Sequence, residues 1–171
     1  MIKKIKASKS EKIIFFFLIS LAIFSLSSFF LIKNKCLFVK DYNPEKLSFD
    51  KPNNIAILNV ECGNVIIELY PNISPNAVER FKTLVRSKAY DDVAFHRVIK
   101  DSLVQAGDLE FGKKGNIDYG KIGTGQSGLG TINSEIDVPF NYERGSVGLA
   151  RTQKYNTEDS QFFITLKDEP L

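Results

Sequence analysis

The sequence is short of the residues from which metal centres and disulfide frameworks are built. Its 171 residues contain one histidine (His96), two cysteines (Cys36 and Cys62) and no tryptophan. A single histidine excludes HExxH and multi-histidine metal centres. Two cysteines exclude a cysteine-rich zinc site and a disulfide-stapled mini-fold, and whether these two pair stays open. The core must therefore be built on aliphatic side chains and the 14 phenylalanines.

Negative charge is scarce only at the start of the chain. The formal net charge is +3, but eight lysines stand against Glu11 alone in residues 1–40, which gives +7. The remaining 15 basic and 19 acidic residues leave residues 41–171 with −4. A slightly acidic globular region is a poor match for phosphates, so we expect no nucleic-acid partner.

Residues 13–32 form a run of twenty residues without a charge. As a helix this run would span about 30 Å, the hydrocarbon thickness of a bilayer, which predicts an uncleaved transmembrane anchor. The alternative is a cleaved signal peptide, for which residues 25–27 are the one weak cleavage sequence. Because five lysines precede the run and three follow it, residues 1–12 are predicted to be cytoplasmic and the bulk of the chain extracytoplasmic. Residues 33–54 are interpreted as a tether.

The globular region, residues 55–171, opens with a predicted hairpin and a helix. Two β-branched runs, Ile55–Cys62 and Asn64–Leu69, flank Gly63, which suits a turn that needs a positive φ. Ser74 and Pro75 then predict a helix start, with the helix ending near Lys88. Helical spacing assigns two faces to this helix: Ala77, Phe81, Leu84 and Val85 inward, and Glu79, Arg80 and Lys82 outward.

Short strands are predicted to follow the helix. They cover residues 94–99, 103–107, 146–150 and 161–166, and a glycine-rich stretch at 112–130 is expected to be a surface loop. Many short strands with turn signals and a helix favour a mainly β fold with a closed barrel.

Three chemical interpretations are disfavoured by their context. Residues 123–128 match GxGxxG, but no strand precedes them and no amphipathic helix follows, so a nucleotide site is not expected. His96 lacks a nucleophile elbow or triad signal and is expected to be structural, on the face opposite Arg97. The acidic pair Glu158 and Asp159 is expected to be a solvated turn.

Four strings occur in an order that is typical of one family. They are FHRVI (95–99), LVQAGD (103–108), RGSVGLAR (144–151) and SQFFIT (160–165), after a helix that begins SPNAVERF. Together they resemble the signature of cyclophilin-type peptidyl-prolyl cis-trans isomerases over residues 55–171. The resemblance implies an antiparallel β-barrel capped by helices, with a shallow proline-binding groove on its outside.

The resemblance also implies roles for individual residues. Arg97 is similar to the family's catalytic arginine, and Gln105 to the glutamine that orients it. The substrate-binding positions it implies are Leu103, Ala150, Arg151, Gln161 and Phe163, of which Phe163 is the floor of the proline pocket. The implied reaction is rotation about X-Pro bonds to assist protein folding, and it needs no nucleophile, metal or cofactor. The implied partners are proline-containing polypeptides, exported or membrane proteins among them, bound by a monomer.

The chain departs from the family pattern at several points. Ser102 stands where an aromatic residue is usual, Ala106 replaces a frequent glycine, and the loop at 109–130 is longer than in compact members. The family continues beyond the position of Leu171 through further strands and a final helix, so the barrel is expected to be incomplete here. These departures leave two alternatives to an active isomerase: a non-catalytic module or chaperone that binds proline-containing segments, and a defective truncated copy.

Overall fold

A computed structural model describes residues 8–33, 36, 43–136 and 141–168. Residues 1–7 of the predicted cytoplasmic segment and most of the first half of the tether lie outside the described residues. The described residues form two compact units. One holds the amino-terminal helix, the segment to Ser48 and the hairpin tip Ile57–Val65, and the other holds Phe49–Ala56 and the chain from Ile66 onward.

The first unit contains helix α1, Lys9–Lys33. The helix begins with a capping box, in which Ser8 Oγ accepts from the backbone N–H of Glu11 while the Glu11 carboxylate accepts from the N–H of Ser8. None of its residues is buried, and it is long and apolar enough to cross a membrane. A helix that is apolar on all sides and unburied fits a bilayer better than water. In the same unit Cys36 and Cys62 form a disulfide, so the two cysteines, whose pairing the sequence left open, are bonded to each other.

The predicted hairpin and second helix are confirmed. Strands β1 (Ile55–Val60) and β2 (Gly63–Glu68) pair as a two-stranded sheet, and Gly63 adopts φ +136° where the chain turns. Helix α2 runs Pro75–Arg86 with proline in its first turn.

The cap of α2 differs from the prediction. The Ser74 side chain makes no capping hydrogen bond. Instead the Glu135 carboxylate accepts from the backbone N–H groups of Asn76 (2.8 Å) and Ala77 (3.0 Å). A carboxylate at this end of the helix also complements the helix dipole. The loop that carries Glu135 is thereby fixed to α2.

The faces of α2 are also partly different from the prediction. Its buried residues are Val78, Phe81 and Leu84, whereas Val85 keeps 41% of its surface exposed. Arg80 was placed outward, but its guanidinium pairs with Asp159 and also donates to the carbonyl of Gly130. Asp159 in turn accepts from the backbone N–H and hydroxyl of Ser127.

The expectation that residues 158 and 159 form a solvated turn is wrong. Glu158 and Asp159 keep only 7% and 5% of their surfaces exposed. Each is buried with polar partners, since Glu158 accepts from the Ser134 hydroxyl and Asp159 holds Arg80 and Ser127. Burial with full pairing is the condition under which a carboxylate is tolerated inside a protein.

In the part of the chain that the structure describes, four further strands form one antiparallel sheet. They are β3 (Arg97–Ile99), β4 (Leu103–Ala106), β5 (Val147–Leu149) and β6 (Phe162–Thr165), and their spatial order is β3-β4-β6-β5. The four strands fall within the predicted segments.

The core lies on one face of this sheet. Phe162 is 3% exposed and packs edge-on against Phe81 of α2 (ring centroids 5.5 Å apart) and against Tyr90 (5.4 Å). The Tyr90 hydroxyl donates to the carbonyl of Ser160 at 2.7 Å. Because neighbouring strand residues point to opposite faces, burying Phe162 directs Phe163 to the other side of the sheet.

Candidate active site

The register of the sheet aligns the predicted catalytic residues in one row. Arg97 is opposite Gln105, Gln105 is opposite Phe163, and Phe163 is opposite Gly148. Residues directly opposite one another in a sheet share a face, so Arg97, Gln105 and Phe163 all lie on the face away from Phe162. Strand pairing across 66 residues of sequence thus brings together side chains that three separate strings had indicated.

A chain of side-chain hydrogen bonds leads away from the exposed Arg97. Its guanidinium donates to Oε1 of Gln105 at 3.1 Å, and Nε2 of Gln105 donates to Oε1 of Gln161 at 2.9 Å. Nε2 of Gln161 donates to the carbonyls of Gly123 and Gly125, each at 3.0 Å. A guanidinium can only donate and a carbonyl can only accept, so both amides have a single allowed orientation. This series of hydrogen bonds therefore fixes the orientation of the Arg97 guanidinium.

Phe163 and Tyr142 form an aromatic pair beside this row. Phe163 is half-buried and its ring centroid lies 5.2 Å from that of Tyr142. A Cβ added to Gly148 would lie 2.8 Å from Cζ of Phe163 and 2.7 Å from the Tyr142 hydroxyl. The missing side chain of Gly148 is thus what makes room for both rings. Burial raises the pKa of Tyr142, and nearby Glu158 raises it further against the opposing charge of Arg151, so its hydroxyl stays protonated near neutral pH.

The other predicted binding residues lie at different distances from the row. Leu103 is two residues before Gln105 on β4, hence on the same face, opposite Thr165. Ala150 follows β5 and its N–H donates to the carbonyl of Gln161 at 2.7 Å. Arg151 is exposed, with its guanidinium 4.9 Å from the Tyr155 ring, 3.9 Å from the Glu158 carboxylate and a donor to the Thr152 carbonyl.

Sequence reasoning missed Gly148 and Tyr142 as parts of this site. Gly148 lies inside the string RGSVGLAR, so a signal for it was present, whereas no pattern indicated Tyr142. His96, expected to be structural, is adjacent to the row, and its buried ring nitrogens make no hydrogen bond within the described residues.

The described residues contain no group of three or more His, Cys, Asp and Glu side chains that could hold a metal ion. The GxGxxG stretch belongs to the loop that supports Gln161, through the carbonyls of Gly123 and Gly125. This stretch therefore supports the candidate site through its backbone carbonyls.

Comparison with known sequences agrees with this geometry. Residues 55–171 match the family model described as "Cyclophilin type peptidyl-prolyl cis-trans isomerase/CLD". A protein of Brucella suis biovar 1 named "Probable peptidyl-prolyl cis-trans isomerase" is 44% identical over 123 residues, which cover 70% of this chain and 61% of that protein. A peptidyl-prolyl cis-trans isomerase of Streptomyces antibioticus is 34% identical over 111 residues, covering 65% of this chain and 61% of the relative. The chain thus spans about three fifths of the length of these relatives.

Solved structures give the same result for the fold. A Cryptosporidium parvum cyclophilin, crystallised in the presence of the dipeptide Ala-Pro, superposes with a TM-score of 0.54 at 30% identity, covering 63% of this chain and 65% of that one. A bacterial cyclophilin from Hirschia baltica has a TM-score of 0.56 at 21% identity and covers 77% and 66% of the two chains. The predicted cyclophilin-like fold is confirmed. From Ile55 onward, this chain is a member of the cyclophilin-type peptidyl-prolyl cis-trans isomerase family.

Proposed function

We propose that this chain catalyses cis–trans isomerisation of X-Pro peptide bonds in polypeptide substrates. The observation that carries the proposal is the row of Arg97, Gln105 and Phe163 across β3, β4 and β6. It combines an exposed, oriented guanidinium with an aromatic surface on one face of a sheet. Family membership supports the same reaction class.

The mechanism requires no covalent bond to break. Resonance in the X-Pro amide gives rotation a barrier of about 18–20 kcal/mol. In the twisted transition state the prolyl nitrogen loses this resonance and becomes a better hydrogen-bond acceptor. Arg97, which stays protonated at any working pH, donates to that nitrogen while Phe163 supports the ring. Because the donated bond strengthens on twisting, it stabilises the transition state more than the ground state.

The proposal includes the substrate-binding roles that the family implies for four further residues: Leu103, Ala150, Gln161 and Arg151. The first three lie on or beside the row of β3, β4 and β6 residues. Arg151 is exposed and contacts Tyr155 and Thr152 in its own loop, so its role in substrate binding is supported by family membership alone.

We further propose that α1 anchors the protein in a membrane with the isomerase domain outside the cytoplasm. The apolar helix and the lysine-rich segment before it support this orientation. The Cys36–Cys62 disulfide is independent support, because disulfides persist in oxidising compartments and are rare in the cytosol. The clients would then be exported or membrane proteins that contain proline.

Substitution of Arg97 tests the catalytic role. With the full chain in mild detergent and an X-Pro peptide, Arg97→Ala is expected to lower kcat by about 100-fold, the usual cost of losing one transition-state donor. Arg97→Lys keeps the charge but loses the planar fork, so it should recover only part of the rate. Arg86→Ala is the matched control, because Arg86 is exposed on α2 and its guanidinium lies 3.9 Å from the equally exposed Glu79 carboxylate.

The same assay separates the competing functions. Activity that survives Arg97→Ala would refute the proposed mechanism. Peptide binding by the wild-type chain without any acceleration of exchange would instead select the non-catalytic binding module, which the serine at position 102 favours.

A further inference from the structure

The carboxylate of Asp108 is completely buried and binds four backbone N–H groups of the loop that follows β4. Oδ1 accepts from Glu110 (3.2 Å) and Phe111 (2.8 Å). Oδ2 accepts from Gly123 (2.7 Å) and Gly125 (3.0 Å), fifteen and seventeen residues further along the chain. One side chain thus fastens both ends of residues 110–125.

The two glycines that Asp108 binds are the same two that hold Gln161. Their N–H groups donate to Asp108, and their carbonyls accept both protons of the Gln161 amide nitrogen. The Gln161 side chain has no donor besides this NH2 group, so a shift of the glycine backbone would release it. The amide of Gln161 in turn holds Gln105, and Gln105 holds Arg97.

We propose that Asp108 is a positioning residue for the isomerase reaction, which keeps Arg97 correctly oriented through the Gly123–Gly125 backbone, Gln161 and Gln105. This inference rests on the proposed function. Asp108 is completely buried, so its effect is exerted indirectly, through three intervening steps: the glycine backbone, Gln161 and Gln105.

The environment of Asp108 supports the charged form that this role needs. Burial alone would raise the pKa of the carboxyl group, but the four backbone hydrogen bonds outweigh burial and lower it. The packing is also tight, since a Cβ added to Gly125 would lie 2.0 Å from Oδ1 of Asp108. The glycine at position 125 is thus needed for the backbone to reach the carboxylate.

Asp108→Asn is the direct test, in the full chain in mild detergent. An asparagine amide presents only one acceptor atom, so its NH2 group would face N–H groups of the loop. We expect kcat to fall by about 10- to 100-fold, the scale of a small misplacement of a catalytic group, with KM within about twofold of wild type. We also expect NMR signals of the Arg97 Nε–H and of the Gln105 side-chain amide to shift or broaden, although neither residue touches Asp108.

Glu135→Gln is the matched control. Glu135 is likewise a carboxylate that binds two backbone N–H groups across a long stretch of sequence. It caps α2, however, and within the described residues it makes no hydrogen bond to Gln161, Gln105 or Arg97. It should leave kcat and both NMR signals unchanged.

Gly125→Ala provides a second variant that leaves the charge of Asp108 in place. The added methyl must displace the carboxylate, so this variant should reproduce the kcat loss and the two NMR changes even if Asp108→Asn fails to fold. Altered signals confined to residues 110–125, with kcat within twofold of wild type, would overturn the inference. If the wild-type chain proves inactive, only the proposed function is refuted. The NMR signals still test whether Asp108 controls the orientation of Arg97 and Gln105.

Discussion

At the scale of single residues, Gly148 is a position in the row that leaves no room for a side chain. Gly148→Ala places a methyl against Phe163 and Tyr142, so it should displace the ring that is proposed to support proline. We expect KM for an X-Pro peptide to rise about tenfold, equivalent to about 1.4 kcal/mol of lost binding. NMR exchange measured over a series of peptide concentrations would show this rise.

Gly120→Ala is the control for that prediction, because Gly120 is exposed and the nearest atom to an added Cβ is a carboxylate oxygen of Asp118 at 3.4 Å. A KM for Gly148→Ala that matches wild type would show that substrate does not use the Phe163 surface.

The residues of the row could be predicted because each lies in a string that the family shares. Phe162 is buried in the core, and alternation along β6 therefore directs Phe163 to the opposite face. The close approach of Tyr142 to Gly148 could not be predicted, since it depends on how the loop before β5 packs against β5. Asp108 lay inside LVQAGD, yet the partners of its carboxylate include residues fifteen and more positions away.

At the scale of elements, the Arg80–Asp159 pair joins α2 to the segment just before β6, and Asp159 also binds Ser127. The side chains are 11% and 5% exposed. Arg80→Ala leaves a buried carboxylate without its cation, so we expect it to lower the free energy of unfolding by about 3 kcal/mol. Urea unfolding can be followed by tyrosine fluorescence, because the chain has six tyrosines and no tryptophan.

Arg86→Ala on the exposed face of the same helix should change stability by less than about 0.5 kcal/mol. Equal losses for the two arginine variants would mean that the buried pair does not stabilise the contact between α2 and β6.

Helix α2 shows where local patterns stop being informative. Proline in the first turn and the apolar period predicted its existence and its position. They could not predict that Glu135, 59 residues beyond Asn76, caps its start. Nor could they place Arg80 inward, because an arginine is buried only when a distant acid such as Asp159 meets it.

At the scale of the whole molecule, the disulfide reports the compartment. If the domain is extracytoplasmic, protein isolated from cells under thiol-blocking conditions should show no free cysteine and two after reduction. A gel-shifting maleimide measures this directly. Cys62→Ser, which leaves Cys36 alone, should give one label without reduction.

Labelling of both cysteines before reduction would contradict the proposed orientation. The apolar helix itself was predictable from an uncharged run long enough to span a bilayer. The pairing of Cys36 with Cys62 was not, because two cysteines separated by 26 positions can pair only if the folded chain brings them together.

Exchange NMR on an X-Pro peptide shows whether the sheet of β3, β4, β6 and β5 carries an isomerase site. With the full wild-type chain at a small fraction of the peptide concentration, we predict cis–trans exchange cross-peaks that grow in proportion to the amount of protein. Peptide resonances that shift on binding while the cis–trans exchange rate stays at its uncatalysed value would contradict the claim.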